Sequence, residues 1–289
     1  YEISACLVGS EMCIRDRENM EQIIVVMALY SFMIGLVIEA GIKQEKTLKS
    51  LNMNIINNND IRLDLDKHEY SLLDDSAISF TSVTTFVNSF FEPFDEVKVS
   101  NHLVNNVPKY FGETPESLIE KWNLARKHGT DVHLEIENWI KDGTPPKDQK
   151  SIAAKKWIEG YVARPNIETF PEVIVYSKEL CIAGTMDILM VNKDSEEHVI
   201  IDWKTSKRID KKSFKGKMGI KKETSDIEDC NYNHYALQLS LYRFILEEYY
   251  NIQVSRQLIA HLKEDGLESY STPYMKKEIL DMIGSIDKV

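Results

Sequence analysis

Cysteine is scarce in this chain. Its 289 residues hold four, Cys6, Cys13, Cys181 and Cys230, and no two form a Cys-x-x-Cys pair. That spacing excludes a cysteine-built zinc site and a disulfide framework, and it fits a reducing compartment. Glycine (12) and proline (8) are sparse as well. No Gly-rich phosphate loop occurs, so these residues contain no fused helicase or ATPase module, and no internal repeat is visible. Positive charge is in deficit: 35 Lys and Arg stand against 46 Asp and Glu, a net charge of −11 and a pI near 5.2. Such a balance excludes a polyanion binder that works through its overall charge.

What is present is concentrated between Gly184 and Lys207, in GTMDILMVNKDSEEHVIIDWKTSK. Val199-Ile200-Ile201 is a β-branched run and predicts a buried strand. Side chains alternate along a strand, so Asp202 and Lys204 share one face while Trp203 points away. Asp187 lies in the preceding apolar run, and the polar stretch Asn192–His198 predicts a turn between the two strands. Gly184 would admit another backbone or a ligand at close range. Two carboxylates can hold a hard cation through oxygen. Such a cation polarises a phosphate and lowers the pKa of a bound water. A lysine beside it can orient or deprotonate that water, or offset charge on the phosphate. Asp-x-Lys alone is common, and a surface hairpin ending in charges is the plain alternative.

Two helices extend the pattern. Tyr235–Tyr250 has apolar residues at helical spacing and predicts an amphipathic helix, with Gln238 and Tyr242 four apart on one face. Ala125–Ile140 predicts another, with His133 and Glu137 on one face and Gly129 one turn earlier. Each pair alone is more often structural than functional. KDGTPPKDQK (141–150) marks an internal break, its two prolines ending the His133 helix. Gln257–Leu262 predicts a strand and Lys276–Ile286 a helix after Pro273. The stretch Lys204–Lys222 is rich in Lys and Arg, with only Asp210 against them. It reads either as a solvated loop or, given its place beside the candidate site, as a loop that tracks phosphates or gates a strand. Phe214 and Tyr232 are available for base stacking.

Taken in order, Gly129-x-x-x-His133-x-x-x-Glu137, Gly184-x-x-Asp187, Asp202-x-Lys204 and Gln238-x-x-x-Tyr242 resemble the PD-(D/E)XK nuclease superfamily. Within it they are similar to RecB-like exonuclease domains. The resemblance runs from about Ser79 to the C-terminus. FTSVTTFVNSFFEPFD (80–95) is similar to the opening helix of that group, and PEVIVYSKELCIAGTMD (171–187) to its first two core strands. It implies an α/β fold, a restriction-endonuclease-like core with a central mixed β-sheet flanked by helices. It implies His133, Asp187 and Asp202 as metal ligands, with the backbone carbonyl of Trp203 as a fourth, and Lys204 as the catalytic lysine beside Asp187 and Asp202. Gln238 and Tyr242 would position the nucleic acid and the active-site strands. Lys207, Arg208, Lys211 and Lys212 would touch substrate, and Glu137 and Glu172 are outlying contributors or ligands of a second metal. The metal would be Mg2+ (or Mn2+). Some RecB-like nucleases hold an iron–sulfur cluster on four cysteines, several near the C-terminus. Nothing after Cys230 is a cysteine, so no iron–sulfur cluster is expected. The implied activity is hydrolysis of DNA phosphodiester bonds, by an exonuclease acting on single- or double-stranded DNA ends in recombination, repair or viral DNA processing. A helicase or recombinase on another chain is the partner the resemblance implies. The alternatives are an endonuclease of the same fold and a catalytically inactive nucleic-acid-binding scaffold.

The first 52 residues read as accessory or suspect. Residues 1–17 resemble translated sequencing-adapter sequence. The apolar segment 23–42 lies at the lower edge of a membrane span and is followed by Lys43, Lys46 and Lys49. The expectation is an intracellular, soluble protein of the cytoplasm or nucleus that starts at Met53, with a membrane anchor through 23–42 as the alternative. Residues 53–76 then form a polar lead-in, and 77–289 one nuclease domain, large enough for a full core.

Overall fold

A computed structural model describes residues 60–286, apart from 65, 66, 68, 76 and 163. The chain opens with the antiparallel hairpin of β1 (Ile61–Asp64) and β2 (Glu69–Leu72). There follow β3 (Thr81–Ser82), α1 (Val83–Asn88), α2 (Glu96–Asn106), α3 (Pro115–Asp142) and α4 (Gln149–Val162). Next come β4 (Ile167–Ser177), β5 (Ile182–Asn192), β6 (Glu197–Lys204), α5 (Asn231–Tyr249), β7 (Val254–Lys263), β8 (Gly266–Ser271) and α6 (Lys276–Gly284). The main sheet has six strands in the order β3-β5-β6-β7-β8, with β4 also paired to β5. It is mixed: β3–β5 and β6–β7 run parallel, while β4–β5, β5–β6 and β7–β8 run antiparallel. The architecture is therefore α/β, a central mixed sheet flanked by helices.

The alternation in β6 works as the sequence predicts. Val199, Ile201 and Trp203 are buried against Val132 and Ile136 of α3 and Ala154 and Ile158 of α4. Asp202 and Lys204 are left for the opposite face, where α5 packs on the sheet. This helix is not amphipathic in the expected way. Its run Leu239, Ser240, Leu241, Tyr242 is buried, as are Phe244, Ile245 and Leu246. A helix enclosed on most sides reads as apolar all round; here the sheet, α1 and α6 enclose it.

Helix α3 starts at Pro115, ten residues before the predicted start at 125, because Thr114 and Ser117 form a capping box there. It stops at Gly143, whose φ of 80° gives the left-handed cap and whose N–H donates to the Trp139 carbonyl. The prolines at 145 and 146 follow the stop and do not cause it. Within the stretch read as a polar lead-in, the β1–β2 hairpin buries Ile61 and Leu72 against Ala183 and packs beside Ile174 and Tyr176. Two four-residue strands with alternate residues exposed look polar in composition. Gly184 admits neither backbone nor ligand: a Cβ there would lie 2.6 Å from Tyr242 Cε1 and 2.8 Å from Val83 Cγ2.

Among the described residues no helix is long and apolar enough to cross a membrane. The adapter-like segment 1–17, the apolar segment 23–42 and Met53 lie outside the described residues.

Candidate active site

Strand register assembles the site. The β4–β5 ladder pairs Pro171 with Ile188 and Val173 with Met186, which sets Glu172 opposite Asp187. The last rung between β5 and β6 pairs Ile188 with Ile201, and the next position sets Asp187 opposite Asp202. Directly opposed residues in neighbouring strands project to the same face. Glu172, Asp187 and Asp202 therefore stand in a row across β4, β5 and β6. The ladder opens beside them: the Trp203 N–H donates to Asp187 Oδ2 at 2.6 Å. A strand residue turns its N–H and C=O to one edge, so the Trp203 carbonyl also faces the opening.

His133 reaches this opening from α3, with Nδ1 3.4 Å from Asp187 Oδ1. His133, Glu172 and Asp187 each offer a ligand atom within 4.8 Å of the others, the donor set of a cation site. Asp202, expected in that set, is turned elsewhere. Its Oδ2 pairs with Lys204 Nζ at 2.7 Å and its Oδ1 accepts from Gln238 Nε2 at 3.2 Å. Glu172, ranked as outlying from sequence, takes its place in the cluster. The backbone of Glu172 has φ 51°, a left-handed conformation that costs a non-glycine residue about 1–3 kcal/mol and recurs at functional positions. Glu137 forms an ion pair with Lys141 and adds its charge to the neighbourhood of Glu172.

Electrostatics separates the carboxyl groups. Burial, then the charges of Asp187 and Glu137, push the Glu172 carboxyl up to about 8. Burial also lifts Asp202 to about 6, against the pull of Lys204 and with the push of Asp187. Desolvation raises Asp187 too, but His133, Lys204 and the Trp203 N–H outweigh that cost and hold it below the usual carboxylate range. Desolvation opposes charge on His133 and on Lys204. Their carboxylate neighbours, Asp187 for the histidine and Asp202 for the lysine, nevertheless raise both. Lys204 is thus an ammonium at neutral pH.

Gln238 and Tyr242 lie where their spacing puts them. Gln238 bridges Asp202 to the Tyr242 hydroxyl, 3.4 Å away, and Tyr242 is buried. Sequence reading missed Tyr235, one turn before Gln238, whose ring carries the Lys204 ammonium 4.4 Å from its centroid. Its helical spacing from Gln238 was the available signal. Gly129 lies where a Cβ would come 2.8 Å from Thr205 Oγ1, so this glycine lets α3 approach the residue that follows Lys204.

The basic loop is less free than its composition implies. Arg208 pairs with Asp210 at 2.7 Å and Lys212 with Glu228 at 2.8 Å, and Lys217 reaches Glu92. Asp210 belongs to the loop itself, while Glu228 and Glu92 come from other parts of the chain. Lys211 sits over the rings of Tyr232 and Tyr270, and Lys207 is exposed. The later part of the loop is tied down, with Ile220 N–H and Thr224 Oγ1 both donating to the Phe90 carbonyl. Phe214 is 73% exposed, while the Tyr232 hydroxyl donates to the Ser271 carbonyl.

No family profile matches this chain, and no curated protein does. Among solved structures it is similar to one titled "Crystal structure of SSO0001", at 12% identity and a TM-score of 0.33, covering 71% of this chain and 73% of that one. A likeness of that degree carries no argument about fold or function.

Proposed function

We propose that this protein is a metal-dependent deoxyribonuclease with a restriction-endonuclease-like core of the RecB-like type, acting as an exonuclease on DNA ends. The observation that carries the reading is the row Glu172–Asp187–Asp202, flanked by His133 on one side and Lys204 on the other. Three consecutive strands and the earlier helix α3 converge there, which a chance surface hairpin does not require.

The donor set fits a hard divalent cation. The two carboxylates and the absence of a thiolate suit Mg2+ or Mn2+, while the imidazole is a donor that softer divalent ions also accept. Burial first, and then the charges of Asp187 and Glu137, elevate Glu172, and a cation bound there would offset both effects. His133, Glu172 and Asp187 would hold the ion, with the Trp203 carbonyl on the same edge. Bound there, a divalent cation supplies Lewis acidity toward a phosphate and a water of lowered pKa. The chain's own groups do the rest. Lys204, held as an ammonium by Asp202 and stacked on Tyr235, offsets charge on the phosphate. Its carboxylate neighbours favour the ammonium form, which suits it to offset charge and orient a water. Asp202, elevated to about 6, lies close to the range where a carboxylate exchanges protons near neutrality. Gln238 fixes its orientation.

The test is cleavage of end-labelled linear single- and double-stranded DNA, beside covalently closed circles, in magnesium and in EDTA. Loss of linear DNA alone is expected, with Lys204→Ala and Asp202→Asn each lowering the rate at least about a hundredfold. Nicked or linearised circles would move the assignment to an endonuclease. Full magnesium-dependent cleavage by pure Lys204→Ala protein would remove the mechanism.

A further inference from the structure

A cavity of about 190 Å³ opens between α1 and α5, lined on one side by Thr84, Val87 and Asn88 and on the other by His234, Tyr235 and Gln238. It touches the candidate active site through two side chains. Gln238 donates to Asp202, and the Tyr235 ring carries the Lys204 ammonium. The aromatic side is held in place before any ligand arrives. His234 packs on Phe91 at 4.1 Å between centroids, and its Nε2 lies 2.9 Å from Asp229 Oδ1. Asn231, also on the wall, is occupied in fixing the turn before it, donating to the Arg208 carbonyl and accepting from the Asp210 N–H. The α1 side differs. Thr84 and Asn88 lie one helical turn apart, both exposed, and neither side chain has a hydrogen-bond partner among the described residues.

The chemistry of these walls is specific in kind. Aromatic faces offer stacking to any planar π-system, and stacking of this sort is tolerant of sequence. A hydroxyl and a carboxamide opposite them offer both donors and acceptors to the edge of a planar heterocycle. A base inside a duplex presents no free face or Watson–Crick edge, so only an unpaired base can enter. The geometry points to this cavity as the seat of one unpaired nucleobase of a DNA strand, next to the phosphate that faces Lys204, with Thr84 and Asn88 reading its edge. The inference rests on the nuclease reading for its substrate and adds to it a preference for single-stranded or frayed ends.

The experiment uses the full chain and a set of single-stranded oligonucleotides, each with one 2-aminopurine placed progressively further from the end. Binding is followed in EDTA by fluorescence, and cleavage of the same strands is followed separately in magnesium. At one position the fluorescence should fall severalfold on binding, while the same reporter within a blunt duplex should not respond. Asn88→Trp, which fills the cavity from an exposed helix position, should abolish that quench and weaken strand binding about tenfold. Asn88→Ala, which removes only the edge contact, should narrow the spread of affinities among the four natural bases at that position. Circular dichroism and melting temperature verify that each variant folds. A position-specific quench without cleavage would keep the pocket and retire the nuclease reading. Cleavage with no position-specific quench, or a quench that survives Asn88→Trp in a folded protein, would overturn the pocket.

Discussion

Glu172 carries the least favourable charge among the site residues. Its carboxyl ionises near 8 in the fold, against 4.5 for a free glutamate. Between those values the native state binds more protons than the unfolded chain, so the metal-free protein loses stability as pH rises from about 4.5 to about 8. Asp202, elevated to about 6, adds a slope of the same sign at the acidic end of that window. Thermal melts in EDTA from pH 5 to pH 8 should show this fall. Glu172→Gln should shrink it and stabilise the metal-free protein at pH 8 by about 2 kcal/mol, allowing about 1.4 kcal/mol per pH unit of displacement and a discount for partial exposure. A carboxyl must lose its proton to bind a cation, so magnesium or manganese affinity should rise with pH up to about 8 in the wild type. In Glu172→Gln that rise should be much smaller, as titration calorimetry would record.

At the scale of elements, glycines report how closely the site's neighbours approach one another. A Cβ at Gly184 on β5 collides with Tyr242 from α5 and Val83 from α1, both buried. Gly184→Ala should therefore cost about 1–3 kcal/mol, as overpacking does, and urea denaturation would measure it. Gly160 in α4 provides the contrast, since a Cβ there meets nothing within 4 Å. Gly160→Ala should stabilise by about 0.5–1 kcal/mol through helix propensity. If both substitutions proved neutral, the close packing of α5 and α1 against β5 would be wrong. A Cβ at Gly129 on α3 would come 2.8 Å from Thr205 Oγ1, so the threonine side chain would have to shift. Substitution of Gly129 should disturb the segment after Lys204 more than it disturbs stability.

Over the whole molecule, a net charge of −11 has to be reconciled with the proposed polyanionic substrate. The basic loop cannot act with its nominal charge, because Arg208, Lys212 and Lys217 already face carboxylates. Binding should therefore depend on a small number of unpaired cations and fall with salt less steeply than the lysine count implies. Anisotropy titrations of a labelled strand across salt concentrations would test this. Lys207→Ala should weaken binding and reduce the salt slope by about one. Lys212→Ala, which also frees Glu228, should change the slope less.

The sequence alone determined what depends on local periodicity. Alternation along Val199–Lys204 put Asp202 and Lys204 on one face and Trp203 in the core, as the Asp202–Lys204 ion pair and the packing of Trp203 bear out. Helical spacing put Gln238 beside Tyr242. The tertiary structure decided everything that depends on which strands lie side by side. Glu172 is fifteen residues before Asp187 and has no motif of its own; only the antiparallel register of β4 on β5 brings the two together. Asp202 faces Lys204 and Gln238 rather than the cation cluster, an orientation held by contacts from β6 and α5. The loop lysines found partners at Glu92 and Glu228, residues that no local reading connects to them. Backbone geometry fixes which way neighbouring side chains point within one element. Register and packing between elements are set by the burial of distant apolar faces, and these decide which charges meet.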